Sequence, residues 1–322
     1  MIMAIVYDEL LDRWGLPRPR SVTATAWGWS NDTFVVASAA GRHILRISTS
    51  ARQAEVAFEH EVLASVASRR LPFATPLPLA SSSGVTLETF AGPHDRLPAT
   101  LYREIPGRHA DDADIGLVAA GASAFAELDR ALATVRIATP SRPLSSDLAA
   151  VSPAVPTLDG IEQTVGPDAA RLLRDTAAGL EALPAGLPRQ LIHGDFALGN
   201  VLLIGGRVSG IVDFEYCGHD LRAMELATAL GLVLTKNNGE DLWRPILTAY
   251  LRALPLTDEE LVALPSLVRL GRAAGLLWWI GREREGRSSK TTTAERVERV
   301  LAIDQWISRN ANELVETARR AV

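Results

Sequence analysis

The chain holds one cysteine, Cys217, in 322 residues. That count excludes an internal disulfide and a thiolate metal cluster built within the chain, and it suits a reducing, cytoplasmic setting. Clustered basic residues are also missing. Lys and Arg are scattered through a sequence of formal net charge −5, which leaves no electrostatic footprint for nucleic acid or an anionic membrane surface. The start, MIMAIVYDELLDRW, has too short an apolar run and meets Asp8, Glu9 and Asp12 too early for a signal peptide, so it reads as an amphipathic helix. No long apolar stretch is free of charge. ALPSLVRLGRAAGLLWWI, residues 263 to 280, is interrupted by Arg269 and Arg272, whose placement in hydrocarbon would be costly, so it predicts a buried helix and not a membrane span. Repeats at solenoid periods are absent.

What is present suits a sizeable globular protein. A length of 322 residues exceeds what one core organises and predicts two lobes, and 47% hydrophobic with 22% charged residues argues against disorder. Residues 1 to 105 read as a helix followed by short strands. VTATAWGW, TFVVASA and RHILRIST are rich in β-branched residues and separated by turn material. Between strands, ARQAEVAFEHEVLASVASRRL spaces Val56, Val62, Leu63 and Val66 as one helical face, stopped by Pro72. Pro106-Gly107 marks a hinge, and residues 106 to 322 form a second, mainly helical lobe with six amphipathic or apolar helical stretches. The Pro- and Ser-rich segment 138 to 160 reads as a surface excursion between helices.

One stretch departs from the helical pattern. In LIHGDFALGNVLLIGGRVSGIVDFE, residues 191 to 215, two apolar strands flank Gly205-Gly206, a hairpin turn signal. The hairpin brings Asp195, in the entering loop, Asn200, at the head of the first strand, and Asp213, closing the second, to one end. Asn200 and Asp213 are the oxygen donors that Mg²⁺ accepts alongside substrate phosphates. Asp195 is placed to take a proton from a hydroxyl attacking a phosphoryl group. The order of base, D-x-x-x-x-N, hairpin and D-F-x is the catalytic order of protein kinases, with H-G-D here for H-R-D and D-F-E for D-F-G.

With those replacements the stretch resembles the aminoglycoside phosphotransferase, choline kinase and type II homoserine kinase superfamily of small-molecule kinases. The resemblance is dense over residues 190 to 230 and recognisable in outline from 26 to 110. It implies an α+β, protein-kinase-like two-lobed fold with a β-rich N-terminal lobe and a mainly helical C-terminal lobe. It also implies transfer of the γ-phosphoryl group of ATP, with GTP the alternative, to a hydroxyl of a small molecule with Mg²⁺ as cofactor. An inward charge in a strand, Arg46 of HILRIST, falls where the family carries Lys or Arg, and would grip phosphates bidentately. For its partner the helical period favours Glu59, on the stripe of Val56, Leu63 and Val66, over Glu61.

Other roles stay open at this level. WGWSNDTF, residues 27 to 34, occupies the place of a phosphate-covering turn with only Gly28 as glycine; Ser30 and backbone amides would cover the phosphates, or the segment is an ordinary hairpin turn. Arg103 to Ile105 would offer backbone groups to the purine. His193 reads as a loop support, not a reacting group. Glu215 sits beside the metal or caps the next element. Glu225 stands where the family has Asp, which puts its bracing of the catalytic loop in doubt. Trp278 and Trp279, with Arg282 and Arg284, line an acceptor pocket or belong to the core. Two rival functions are a nucleotide-binding pseudokinase, suggested by Arg46 and the glycine-poor turn, and a metal-dependent hydrolase using His193 and the two Asp residues. Neither the acceptor nor the oligomeric state follows from the sequence.

Overall fold

Alternation along the β-branched segments builds the first half. The computed structural model describes residues 2–25, 31–91, 96–110, 114–139, 146–236 and 239–322. Helix α1 (Ile2–Asp12) leads into β1 (Ser21–Ala24), β2 (Asn31–Ser38) and β3 (Gly41–Ser48), then α2 (Gln53–Ala67), β4 (Glu88–Ala91) and β5 (Arg96–Arg103). The strands form an antiparallel sheet of order β1-β2-β3-β5-β4. The period of two sorts its faces. Leu45, Ile47, Ala99 and Leu101 join Tyr7, Leu10 and Leu11 of α1 in one apolar cluster. Ile44, Arg46, Thr100 and Tyr102 alternate with them and turn toward α2, whose Phe58, Val62, Leu63 and Val66 belong to the larger core that runs on into the helical half.

Past β5 the chain crosses through residues 104 to 107. β6 (Arg108–His109) already belongs to the second half, pairing with β8 (Val201–Ile204), which pairs in turn with β9 (Arg207–Ile211). Gly107 lies at φ +149, where a Cβ would stand 2.6 Å from Ser209 Oγ, so the crossing packs too tightly on the hairpin for a side chain. The helices are α3 (Ile115–Leu132), α4 (Glu162–Glu181), α5 (Met224–Val233), α6 (Gly239–Ala253), α7 (Asp258–Arg284) and α8 (Lys290–Ala321), with a second ladder of β7 (Arg189–Ile192) and β10 (Gly218–Leu221). α3 packs on α6, and α7 packs on α5 and α8. α7 is long and apolar enough to cross a membrane by composition, yet two thirds of its apolar window is buried inside the protein (67%).

Differences from the sequence reading are local. The short strands β4, β6, β7 and β10 were not legible: β10 reads GHDL, a poor strand sequence, and is held extended by its pairing with β7. Of the 138 to 160 excursion, the described part is not purely surface. Leu148, Ser152 and Val155 are buried, and Ser152 presses on Gly281 of α7 where a Cβ would collide with its hydroxyl.

His60 ties α2 to the sheet. Its Nδ1 lies 2.9 Å from Thr86 Oγ1 and its Nε2 3.1 Å from Thr100 Oγ1. Burial, and then the nearby Arg46 charge, lower its pKa to about 4. With the folded value below the unfolded one near 6.5, the unfolded chain takes up the proton first as pH falls, so this stability is lost between about 6.5 and about 4. Urea unfolding of wild type should therefore lose about 2 kcal/mol from this group between pH 7 and pH 5, and His60→Gln should flatten that part of the dependence. An unchanged slope in the variant would contradict the assignment.

Candidate active site

The β8–β9 hairpin turns at Gly205-Gly206, with φ +56° and +77°, the left-handed pair that a two-residue turn of this twist requires. It returns the chain so that Asp213 ends beside Asn200, and Val212 N donates to Asn200 O at 2.9 Å. Asn200 closes a single 3-10 turn (Leu198–Asn200), and its Nδ2 donates to both the backbone O and the Oδ2 of Asp195, each at 2.9 Å. With the amide nitrogen so committed, the Asn200 Oδ1 is left as the group's free donor to a cation. Asp213 is at φ +71, the only non-glycine with positive φ among the described residues, strain of the sort that collects at functional sites.

The two carboxylates are each half-buried, and Asp195 lies near enough to act on Asp213. Desolvation raises the pKa of Asp195, opposed by its Asn200 hydrogen bond and then by the positive charge of Arg272. It raises that of Asp213 well above the usual carboxylate range, with repulsion from Glu215 and then Asp195 adding to the effect and Arg46 opposing it. Hard oxygen donors in a locally over-negative cleft fit a divalent cation, whose ligands here would be Asn200 and Asp213.

Arg46 enters from the sheet. Its Nη2 meets Glu59 Oε2 at 2.5 Å, both side chains less than a tenth exposed, and its guanidinium lies 5.3 Å from the Tyr102 ring centre. Arg46 Nε and Glu59 Oε1 are buried without hydrogen-bond partners. A buried donor left over after the ion pair is suited to an arriving phosphate oxygen. Glu61, the neighbour set aside on periodicity, accepts instead from Thr139 Oγ1 at 3.0 Å on an exposed side.

The remaining predicted positions fall as follows. Ser30, with Trp27 and Gly28, lies outside the described residues. Arg103 ends β5 opposite His43, with its side chain exposed. Ile105 lies in the crossing segment, packed where a Cβ on Gly210 would stand 2.7 Å from its Cγ2. His193 is fully buried. Burial lowers its pKa to about 4, and its ring supports the loop by accepting at Nδ1 from Asp195 N (3.3 Å) and donating from Nε2 to Val212 O (3.1 Å). Glu215 accepts from Asn31 Nδ2 at 2.6 Å, tying the start of β2 to the D-F-E turn. Glu225 does brace the catalytic loop, with Gly194 N donating to its Oε2 at 2.9 Å, and burial pushes its pKa up to about 8. Trp278 and Trp279 are half-buried, edge to face at 4.9 Å, with Arg282 over both rings. Arg284 turns away to donate to Ala154 O at 2.8 Å. Among the described residues no three His, Cys, Asp or Glu side chains gather at metal-ligand spacing.

Two features escaped the sequence reading. Gly194 replaces the arginine of H-R-D because it lies at φ +81 and a Cβ would collide with the Tyr216 carbonyl. Arg272 stands near enough to Asp195 to affect it; it was visible in the sequence as a charge in an apolar helix, but was weighed only against a membrane span.

Residues 21–264 match the model of the phosphotransferase enzyme family, APH. The chain belongs to this family. It is a small-molecule kinase with the protein-kinase-like fold. A homoserine kinase of Xanthobacter autotrophicus is 29% identical over 266 residues, covering 80% of this chain and 78% of the relative. Among solved structures, a microcompartment-associated aminopropanol kinase superposes with TM-score 0.78 at 16% identity, covering 99% of this chain and all of the other (100%). An amicoumacin kinase in complex with AMP-PNP, Ca²⁺ and amicoumacin superposes with TM-score 0.71 at 16% identity, over 94% of this chain and 93% of that one. At these identities the structures speak for the fold alone.

Gly194→Ala should lower stability by about 2 kcal/mol, from a strained φ and a backbone collision, and should depress turnover by displacing Asp195. Thermal unfolding together with a turnover assay checks this; a variant of wild-type stability and rate would contradict the close packing of the loop on Tyr216.

Proposed function

We propose that this family kinase moves the γ-phosphoryl group of ATP to a hydroxyl of a small molecule, with Asp195 as the base. The observation that carries the reading is the convergence of Asp195, Asn200 and Asp213 at one end of the hairpin, opposite a buried Arg46–Glu59 pair with a donor to spare. The division of labour follows from the chemistry. Asp195 accepts the proton as the acceptor oxygen attacks, and its raised pKa improves it as a proton acceptor while Asn200 holds its orientation. Asn200 and Asp213 hold Mg²⁺, which when bound neutralises phosphate charge. Arg46, held by Glu59, grips phosphate oxygens. Ser30 and its neighbours would cover the phosphates, and Arg103 and Ile105 would offer backbone groups to the base. Residues 1 to 105 serve as the nucleotide lobe and 106 to 322 as the catalytic and acceptor lobe, in a cytoplasmic enzyme. Relatives named homoserine kinases support a small hydroxyl-bearing acceptor.

Asp195→Asn should reduce kcat by about 10²- to 10⁴-fold with nucleotide affinity near wild type, whereas Asp213→Ala should weaken Mg²⁺–nucleotide binding itself. Calorimetric titration with Mg²⁺ and a non-hydrolysable ATP analogue, beside a turnover assay, separates the two. Normal turnover in Asp195→Asn would overturn the base assignment, and wild-type protein that binds nucleotide but transfers nothing to any acceptor would favour the pseudokinase.

A further inference from the structure

α7 presents a face whose two arginines, Arg272 and Arg282, have no acidic partner among the described residues and keep an unpaired Nε each. Arg272, Gly275, Trp279 and Arg282 recur at intervals of three and four residues and so share one side of the helix. Gly275 faces open space: a Cβ there would meet nothing within 4 Å. A gap therefore lies between Arg272 and Trp279. Arg282 stacks on Trp278 and Trp279, with 4.8 and 5.8 Å to the ring centres, and Arg296 of α8 stacks on Trp279 at 4.5 Å. The indole is thus held between two guanidinium groups at one end of the gap.

Arg272 occupies the other end, and room for it is made on purpose. On α5, Gly231 faces it so closely that a Cβ would stand 2.7 Å from Arg272 Nε. Despite burial, Arg272 Nε, Arg282 Nε and Arg296 Nε all lack hydrogen-bond partners, and among the described residues no carboxylate lies within 4 Å of the Arg272 or Arg296 guanidinium. The contrast with Arg46 is instructive, since that buried arginine has its Glu59. Burial, with Arg296 adding repulsion, lowers the Arg272 pKa to about 10, while Asp195 opposes the shift. Arg296 is lowered as well, by desolvation first and then by Arg299, with Glu295 opposing. A buried cation beside the base, repelled by a second cation on α8 and next to a gap, forms a site for an anion that comes from outside the chain.

We infer that Arg272 and Arg296 clamp a carboxylate of the acceptor, so that the substrates are small hydroxy acids or hydroxy amino acids and not aminoglycosides, choline or simple amino alcohols. This rests on the kinase reading of Asp195. The carboxylate would sit over Gly275, against Trp279, and hold the far end of the molecule while its hydroxyl reaches Asp195. An acceptor bearing only a cation would meet like charge at this end of the pocket, which is a source of rejection as well as a lack of attraction. Arg272 and Arg296 are specificity residues in this scheme and touch no phosphate.

The test is equilibrium binding, which does not depend on turnover. Two matched pairs, L-homoserine with 3-aminopropan-1-ol and D-glycerate with ethylene glycol, differ within each pair only by the carboxylate. Each is titrated into wild type, Arg272→Met and the half-exposed Arg296→Gln, whose folding is checked by thermal unfolding, with and without Mg²⁺–AMP-PNP. At least one carboxylate member should bind wild type about tenfold or more tightly than its partner, and that ratio should fall about tenfold in either arginine variant with nucleotide affinity retained. Absence of a carboxylate preference in both pairs, a preference that survives both variants, or variants that weaken nucleotide binding instead would overturn the proposal. Selective binding without phosphoryl transfer would leave the carboxylate site standing and defeat the kinase reading, so the two fail separately.

Discussion

Two carboxylates, Asp195 and Asp213, are forced to share one desolvated cleft, and the rest of the site answers their repulsion. Away from bulk water, desolvation raises the proton affinity of both, and Glu215 and then Asp195 add to the load on Asp213. Left alone, such a pair would neutralise itself by taking up protons. The fold opposes this from three directions: the Asn200 amide donates a hydrogen bond to Asp195, and the charges of Arg46, from the sheet, and Arg272, from α7, act on Asp213 and Asp195. Asn200 and Asp213 would hold a divalent ion bound with nucleotide, whose charge would offset the remaining repulsion.

The same argument explains the scaffold around the loop. His193 is kept neutral by burial, so that its Nδ1 can accept from Asp195 N while Nε2 holds the hairpin at Val212. Gly194 lets the loop lie against the Tyr216 carbonyl. Glu225 receives the Gly194 N–H, reaching with its longer side chain what a shorter Asp would reach from nearer by. Arg46 differs in that it is committed to Glu59 through one nitrogen and keeps another donor unspent. A lysine would make the ion pair as a point charge; the guanidinium's fork allows one group to hold its carboxylate and still meet phosphate.

Much of this was legible in the sequence because it follows from spacing. The glycine pair fixes the hairpin, the hairpin fixes which end Asn200 and Asp213 share, and the helical period distinguishes Glu59 from Glu61. The parts that were not legible depend on contacts between elements distant in the chain. GHDL becomes a strand only because RQLI lies beside it, and Asn31 meets Glu215 across 184 positions. Arg272 was visible as an anomaly, a charge within an apolar helix, but only the packing of α5 and α7 shows that it lies near Asp195 without an acidic partner. A sequence reveals that a buried charge needs compensation; it takes the fold to show that none is provided from within.

The central claim is that this cleft delivers the phosphoryl group to an alcohol and not to water. Phosphorus NMR of the wild-type protein with Mg²⁺, ATP and a mixture of small hydroxylated acceptors tests it most directly, because ester, inorganic phosphate and nucleotide resonances are distinct in one spectrum. The account predicts a phosphomonoester signal growing in step with ADP and only a trace of inorganic phosphate. Inorganic phosphate as the sole product, whatever acceptor is present, would contradict it.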